Sequence, residues 1–212
     1  MDANRVKRNQ MLAQRVIKGL ESRNMEGYYA ESKEEALAKA LELIPEGSSV
    51  GWGGSMSIEE IGLKDAVCTG NYTVYNRDVC KTPEEKRQTE LSIIGSDYFL
   101  SSSNAITEDG VLVNIDGAAN RVAAISWGPK NVLMIIGMNK IVKSVEDAVS
   151  RARNEAAPIN AQRFPVDTPC KKNGACSDCK SPDSVCCQFL ITRFSKIPKR
   201  IKVILVNEDL GF

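Results

Sequence analysis

Five of the seven cysteines fall within eighteen residues, as Cys170-x5-Cys176-x2-Cys179-x6-Cys186-Cys187. A Cys-x-x-Cys pair lets two thiolates from one tight turn reach a single metal, and two further cysteines within loop range complete a four-thiolate shell. Zinc sites usually carry two such pairs, whereas one pair flanked by wider spacings leans toward an iron-sulfur cluster, with zinc as the alternative. Cys170, Cys176, Cys179 and Cys186 are the expected ligands and Cys187 the alternative fourth. From Arg163 to Lys202, nine Lys and Arg stand against three acids. Cations there lower the cost of forming a thiolate centre that carries net negative charge. A reduced cysteine-rich loop is the plain alternative, and the vicinal Cys186-Cys187 pair is suited to redox exchange.

Three further segments carry polar groups at strand ends. Gly51-Trp52-Gly53-Gly54-Ser55-Met56-Ser57 lies between a strand and a helix start. Its glycines would admit an anion close to free backbone amides and the positive end of a helix dipole. Its spacing fits neither the nucleoside-triphosphate loop nor the dinucleotide fingerprint. Ser101-Ser102-Ser103-Asn104 ends a buried strand, where hydroxyls and an amide can orient a ligand without charge. Gly137-Met138-Asn139-Lys140 ends the most apolar strand, and Lys140 there could face an anion, although a solvated lysine is the commoner fate. The candidate ligand-binding residues from these segments are Gly51, Gly53, Gly54, Ser55, Ser103, Asn104, Asn139 and Lys140. The chain has no histidine, which excludes His-based nucleophilic triads and His-ligated zinc and leaves Asp, Glu, Lys, Tyr and Cys for acid-base work.

Holding these segments in place requires an alternation of strands and helices. Asn4 to Met25 spaces its apolar residues as a surface helix, giving an N-terminal helical region over 1–26. Tyr28 to Ala30 reads as a strand. Ser32 and Glu35 form a capping box for a helix through Ile44, and Ser48 to Trp52 is the next strand. A helix capped by Ser57 and Glu60 comes next, then a strand over Asn71 to Asn76. Thr82-Pro83-Glu84-Glu85 is a strong helix start. Asp97 to Ser101 is a buried strand, and Ile106 to Ile115 a hairpin turning at Glu108-Asp109-Gly110. A short helix succeeds Gly117, and Asn131 to Gly137 suits a central parallel strand buried on both faces. Ser144 to Ala156 is a helix, and Ile201 to Val206 the last strand. The order predicts an α/β three-layer sandwich with a mostly parallel sheet and ligands at the carboxyl ends of its strands. Residues 158–200 form a cysteine-rich excursion within a single domain spanning 1–212.

Composition bounds the function classes. The 212 residues contain 28 Lys and Arg against 27 Asp and Glu, a formal net charge of +1. That balance removes the long-range field of a general nucleic-acid or membrane-surface binder. The longest wholly apolar run, Val132 to Ile136, is far short of the roughly 20 residues of a membrane helix. The first ten residues, MDANRVKRNQ, lack a signal-peptide core, so the thiols are expected in a reducing cytoplasm.

The assembled motifs resemble the lactate-utilisation (LUD) domain family, in the short form with a C-terminal cysteine cluster. The resemblance rests on Val50 to Ser55, Asn104 to Thr107 with Gly110, Val113 to Gly117, Asn120 to Ala124, Gly128 to Lys130, Gly137 to Val142, Ala156 to Pro158 with Asn160 and Arg163, and Leu210 to Phe212. It implies the fold shared by ribose phosphate isomerase, glucosamine phosphate deaminase and CoA transferases. It also implies an accessory or redox-linked role in lactate or organic-acid utilisation, with iron-sulfur oxidoreductase subunits as partners and a small anionic metabolite or cofactor as ligand. A more distant likeness is to methylthioribose phosphate isomerase, in which a strand ends in Gly-Ala-Asp and a later motif reads Asn-Lys-Ile-Gly. Ser102-Ser103-Asn104 and Asn114-Ile115-Asp116-Gly117 stand in those places and add Asn114 and Gly117 to the candidates. An amide replaces the isomerase carboxylate, and an amide cannot take up a proton at neutral pH. The rival expectations are an enzyme acting on a phosphosugar or CoA thioester, with Glu108 the nearest carboxylate, and a non-catalytic partner subunit.

Overall fold

The computed structural model describes residues 2–212. Its first half contains α1 (Ala3–Ser22), β1 (Glu26–Ala30), α2 (Lys33–Leu43), β2 (Ser49–Trp52), α3 (Met56–Glu60), α4 (Leu63–Thr69), β3 (Thr73–Tyr75) and α5 (Pro83–Ile94). Next come β4 (Tyr98–Ser101), β5 (Ala105–Thr107), β6 (Leu112–Asp116), α6 (Asn120–Ser126), β7 (Asn131–Gly137), β8 (Ile141–Val142) and α7 (Val145–Arg151). The chain ends with α8 (Ala157–Ala161), α9 (Pro169–Asn173), β9 (Gln188–Thr192) and β10 (Ile201–Val206).

Six strands form one parallel sheet in the order β1-β10-β7-β4-β2-β3. Alternate residues of β7 project to opposite faces, as strand geometry requires. Val132, Met134 and Ile136 join Ala13, Val16 and Leu20 of α1 and Ala124 and Ile125 of α6. Leu133 and Ile135 join Ala36 and Ala40 of α2, Ile58 of α3 and Leu63 and Val67 of α4. Both faces of the sheet are therefore covered, giving the three-layer α/β/α arrangement. Each fully buried side chain of β7 contributes roughly 1.5–3 kcal/mol through removal of apolar area from water.

A second sheet, β8-β5-β6-β9, packs Ala105, Val113 and Ile115 against Ala148 and Ala152 on the helical segment that starts with α7. The excursion contributes β9 to this sheet, antiparallel to β6 with Val113 opposite Ile191. The sequence signals no strand there. Two other expectations need correction. The helix expected to be capped by Ser57 and Glu60 is short: Gly62 adopts φ +74, a left-handed conformation that breaks the run into α3 and α4. Ser57 lies inside α3 and is buried. The helix after Ser144 does not end at Ala156, because a wider turn over Ala152–Ala156 carries it into α8. The box at Thr82 and Glu85 is present in full.

Candidate functional site

The strands β2, β4 and β7 end on the same edge of the parallel sheet, with Trp52 beside Leu100 and Ser101 beside Met134. The segments leaving these three strand ends line a single cavity of about 600 Å³. After β2 come Gly54, Ser55 and Ser57, and after β4 come Ser102, Ser103 and Asn104. After β7 comes Lys140, while Asp116, Gly117 and Arg121 close another side.

Lys140 is a buried charge on this cavity. A tight turn over Met138–Lys140 succeeds Gly137, and a Cβ at Gly137 would fall 2.4 Å from Asn139 Oδ1 and 2.5 Å from the backbone N of Leu210. Glycine is required by that close approach. Asn139 then fastens the chain end over the turn: its Oδ1 accepts from Leu210 N at 3.1 Å and its Nδ2 donates to Gly211 O at 3.4 Å. Beneath this cover Lys140 is only 2% exposed. Its Nζ donates to Ser57 Oγ at 3.0 Å and to Ser102 Oγ at 3.1 Å. Among the described residues no carboxylate oxygen pairs with it within 4.0 Å. Burial pushes the Lys140 ammonium down to about 7, and the charges of Arg151 and Arg121 act in the same direction against a weaker opposing effect of Glu60. Buried ammonium groups behave this way because the charged form loses its hydration. On the same cavity the Ser55 hydroxyl is buried and has no hydrogen-bond partner among the described residues.

Two arginines hold the strand end in shape. Arg121 donates to Asn104 Oδ1 at 2.9 Å and also to Ile115 O. Arg151 donates to Asn104 O at 2.5 Å and to Asn139 O at 3.3 Å. Asp116 accepts from the backbone N of Arg121 and of Val122, at 3.0 and 3.1 Å, and so satisfies free amides at the start of α6. The other lining carboxylate, Asp183, accepts from Asp167 N at 2.9 Å. Near the same cavity Arg163 lies over the rings of Phe164 and Phe212 at 5.6 and 5.9 Å.

The sequence candidates divide by this geometry. Gly54, Ser55, Ser103, Asn104, Gly117 and Lys140 line the cavity. Gly51, Gly53, Asn114 and Asn139 do not, and they act on its walls. A Cβ at Gly51 would meet Ile93 Cγ1 at 2.5 Å, and one at Gly53 would lie 3.1 Å from Arg121 Cβ. Asn114 donates to Ser102 O at 3.0 Å and accepts from Ser103 Oγ at 3.3 Å. Ser103 itself is tied to Ala105 O and Val113 O, at 2.7 and 2.9 Å, so the hydroxyl available to Lys140 is that of Ser102. The helix-dipole role expected of the glycine loop is also small, because α3 is only five residues long. Glu108 lies away from the cavity, paired with Lys143 at 2.9 Å and Arg15 at 3.2 Å. Sequence reasoning misses Ser57 and Ser102 as partners of Lys140. It reaches Arg121 and Arg163 only as family positions; the signal available for Ser57 and Ser102 is their place beside the selected loops.

A second, smaller cavity of about 100 Å³ is lined by Cys170, Cys176, Cys179 and Cys186 together with Arg153 and Phe189. All seven cysteines are free thiols. Among the described residues no three Cys, Asp or Glu side chains already stand as a metal-holding group. Burial pushes the Cys186 thiol up; its hydrogen bond with Ser184 opposes this, while Cys176, Cys179 and Cys170 add to it. Cys187 faces the larger cavity instead, so adjacent cysteines belong to different cavities. Ala157 lines both.

Taken together, the fold and the cavity at the carboxyl edge of the sheet place the protein among α/β/α sandwich proteins with a cationic interior pocket. The chain belongs to the LUD-domain family, whose sequence model matches residues 13–206. The crystal structure of a DUF162 family protein from Deinococcus radiodurans is similar to it in fold, with a TM-score of 0.54 at 14% identity over 93% of this chain and 98% of that one. A search of curated proteins finds no match to this chain. No helix among the described residues is long and apolar enough to cross a membrane.

Proposed function

We propose that this LUD-domain protein binds a small organic anion in the cavity closed by Lys140, as an accessory or redox-linked component of lactate or organic-acid utilisation. The observation that carries the reading is Lys140 itself, 2% exposed and bonded, among the described residues, to hydroxyls alone. A carboxylate or phosphate would supply the charge partner that the protein withholds. Arg121 and the unpartnered Ser55 hydroxyl add donors on the same cavity. The volume of about 600 Å³ lies in the range of metabolite and cofactor sites.

The second part of the proposal is a metal centre on Cys170, Cys176, Cys179 and Cys186. In its support, these four thiols line one small cavity beside Arg153, and a set of four soft donors suits an iron-sulfur cluster or zinc. An iron-sulfur cluster would supply one-electron transfer, and zinc would supply structural cross-linking. The chain's own contribution is to set these cysteines directly behind the wall of the anion cavity, through Ala157 and the Cys186-Cys187 step. Iron-sulfur oxidoreductase subunits are the partners this arrangement would serve, and a reducing cytoplasm is the compartment that suits seven free thiols.

Calorimetry and thermal-shift measurements with short hydroxy acids, 2-oxo acids, phosphosugars and CoA test the first part. At least one anion should bind the wild type and lose most of its affinity in Lys140→Met; equal binding to both would remove the cavity from the proposal. Anaerobic purification with metal analysis and visible spectroscopy tests the second. Metal content that survives replacement of Cys176 and Cys179 would refute the assignment.

A further inference from the structure

We infer that Lys140 is an imine-forming amine, and that the anion taken by the cavity carries a carbonyl group, as a 2-oxo acid does. The inference rests on the reading of the cavity as an organic-anion site.

An amine that forms an imine must be able to lose its proton near neutral pH, must face space large enough for a carbonyl compound, and needs proton carriers at the nitrogen. Lys140 meets the first condition by its surroundings. Arg151 of α7 and Arg121 of α6 both act on it as like charges, and Glu60 of α3 is the carboxylate that opposes them, outside ion-pair distance. A buried amine beside other cations is a recognised way to obtain a lysine nucleophile. Its two hydrogen-bond partners are hydroxyls, which accept from an ammonium and can turn to donate to a neutral amine, Ser102 by leaving the 3.3 Å bond it gives to Ser103 O. Deprotonation therefore strands no carboxylate. It faces the cavity of about 600 Å³. Ser57 Oγ and Ser102 Oγ, at 3.0 and 3.1 Å from Nζ, are the proton carriers, and Ser55 Oγ is a buried hydroxyl on the same cavity with its bonding capacity unused.

The other groups of the lining do not supply an imine: the Cys187 thiol on the same cavity can add to a carbonyl only as far as a hemithioacetal, which has no N–H to lose with water. The sequence has no histidine, Asp116 is spent on the backbone amides of α6, and Asp183 accepts from Asp167 N. Arginines stay protonated and do not attack carbonyl carbon. Arg121 instead supplies positive charge for the carboxylate of the incoming acid.

The step balances without an oxidant or reductant. The Nζ lone pair attacks the carbonyl carbon, forming a C–N bond while the C=O π pair moves to oxygen. A proton passes from nitrogen to that oxygen through a neighbouring hydroxyl, giving the carbinolamine. The C–O bond then breaks, oxygen leaves as water after gaining a second proton, and the nitrogen, having given up its remaining proton, is left as the neutral imine. One amine and one carbonyl thus yield one imine and one water. Protonation of the imine nitrogen would make it an electron sink for bonds at the adjacent carbon.

The test uses the full chain with pyruvate and 2-oxoglutarate as carbonyl probes and L-lactate and 2-hydroxyglutarate as matched acids without a carbonyl. Each oxo acid is incubated with sodium cyanoborohydride, and reduced adducts are located by peptide mass spectrometry. Binding of all four acids is measured in parallel by calorimetry. For at least one oxo acid, the adduct at Lys140 should exceed that at exposed lysines by about tenfold or more, because a bound carbonyl is held at high effective concentration. Lys140→Arg should keep the positive charge and abolish the adduct at that position while leaving the other lysines unchanged. Binding of the acids without enrichment at Lys140 overturns the imine and leaves the anion site standing. Neither binding nor adduct overturns both.

Discussion

Replacing Lys140 by Met should make the protein more stable at neutral pH and remove one component of its pH dependence. In the folded chain the amine titrates at about 7, against 10.5 for an ordinary lysine. Between those values the unfolded chain holds one proton more than the folded chain, so this group makes stability rise with pH across that window. Below about 7 both states are protonated and the burial cost is felt in full; above about 10.5 neither is, and the cost is gone. At about 1.4 kcal/mol per pH unit, the cost is about 4 kcal/mol at pH 7 and about 2 kcal/mol at pH 9. Met relieves that cost and forfeits the two contacts to Ser57 and Ser102, worth about 1 kcal/mol each. The variant should therefore be about 2 kcal/mol more stable than wild type at pH 7 and about equal to it at pH 9. Urea titrations of both proteins at the two pH values, with reductant present, measure the difference while every other titrating group cancels. Parallel pH dependences would show that Lys140 stays charged in the folded state and that the reasoning from its burial is wrong. A gain in stability coupled to lost anion binding is the expected pattern for a residue kept for function.

Three further outcomes concern other parts of the molecule. Arg200→Met should cost about 3 kcal/mol in a urea titration, because the buried guanidinium donates to the carbonyls of Ala124, Ile125 and Pro129 at 2.9, 2.6 and 2.9 Å and its loss leaves the end of α6 unpartnered. A cost below about 1 kcal/mol would mean that water replaces it. Gly137→Ala should lower the thermal midpoint by the equivalent of about 2 kcal/mol and weaken anion binding, since the added carbon meets backbone at Leu210 and Glu208, 2.5 and 2.7 Å away; unchanged binding would show that the segment over Lys140 is not needed. Cys176→Ser combined with Cys179→Ser should abolish metal content and expose the loop between Pro165 and Ser184 to protease, while urea unfolding stays cooperative, because the two main apolar clusters contain none of these cysteines. Global unfolding of that variant would mean that the cysteine loop stabilises the whole chain.

The sequence alone determined the features that depend on neighbours along the chain. The apolar run at Asn131 to Gly137 is the central strand, and the Thr82 box opens α5, since both signals are written within a few residues of where they act. The alternation of strands and helices was enough for a parallel sheet with covered faces, because a strand buried on both sides must be apolar throughout. It also placed Gly54, Asn104 and Lys140 at strand ends, and parallel strands put such ends on one edge. Tertiary structure alone decided what those ends become. Lys140 reads as a candidate anion partner whose commoner fate is solvent, and it is buried beneath Asn139, Leu210 and Gly211, the last two about seventy positions away in the chain. Ser57 reads as a helix cap and instead bonds Lys140, since the helix already starts at Met56 with Ser55 in the cap position. Ser102 and Ser103 are neighbours of the same type. The pairing of β5 with β6 holds the Ser103 hydroxyl on the carbonyl of Val113, whereas the Ser102 hydroxyl donates to Ser103 O at 3.3 Å and accepts from the amine. Strand β9 stayed illegible in the excursion because its partner, β6, lies between 72 and 80 residues earlier and no local period marks a half-exposed edge strand. The division of Cys186 from Cys187 was equally hidden, for the two cavities they line are built from segments far apart in the chain.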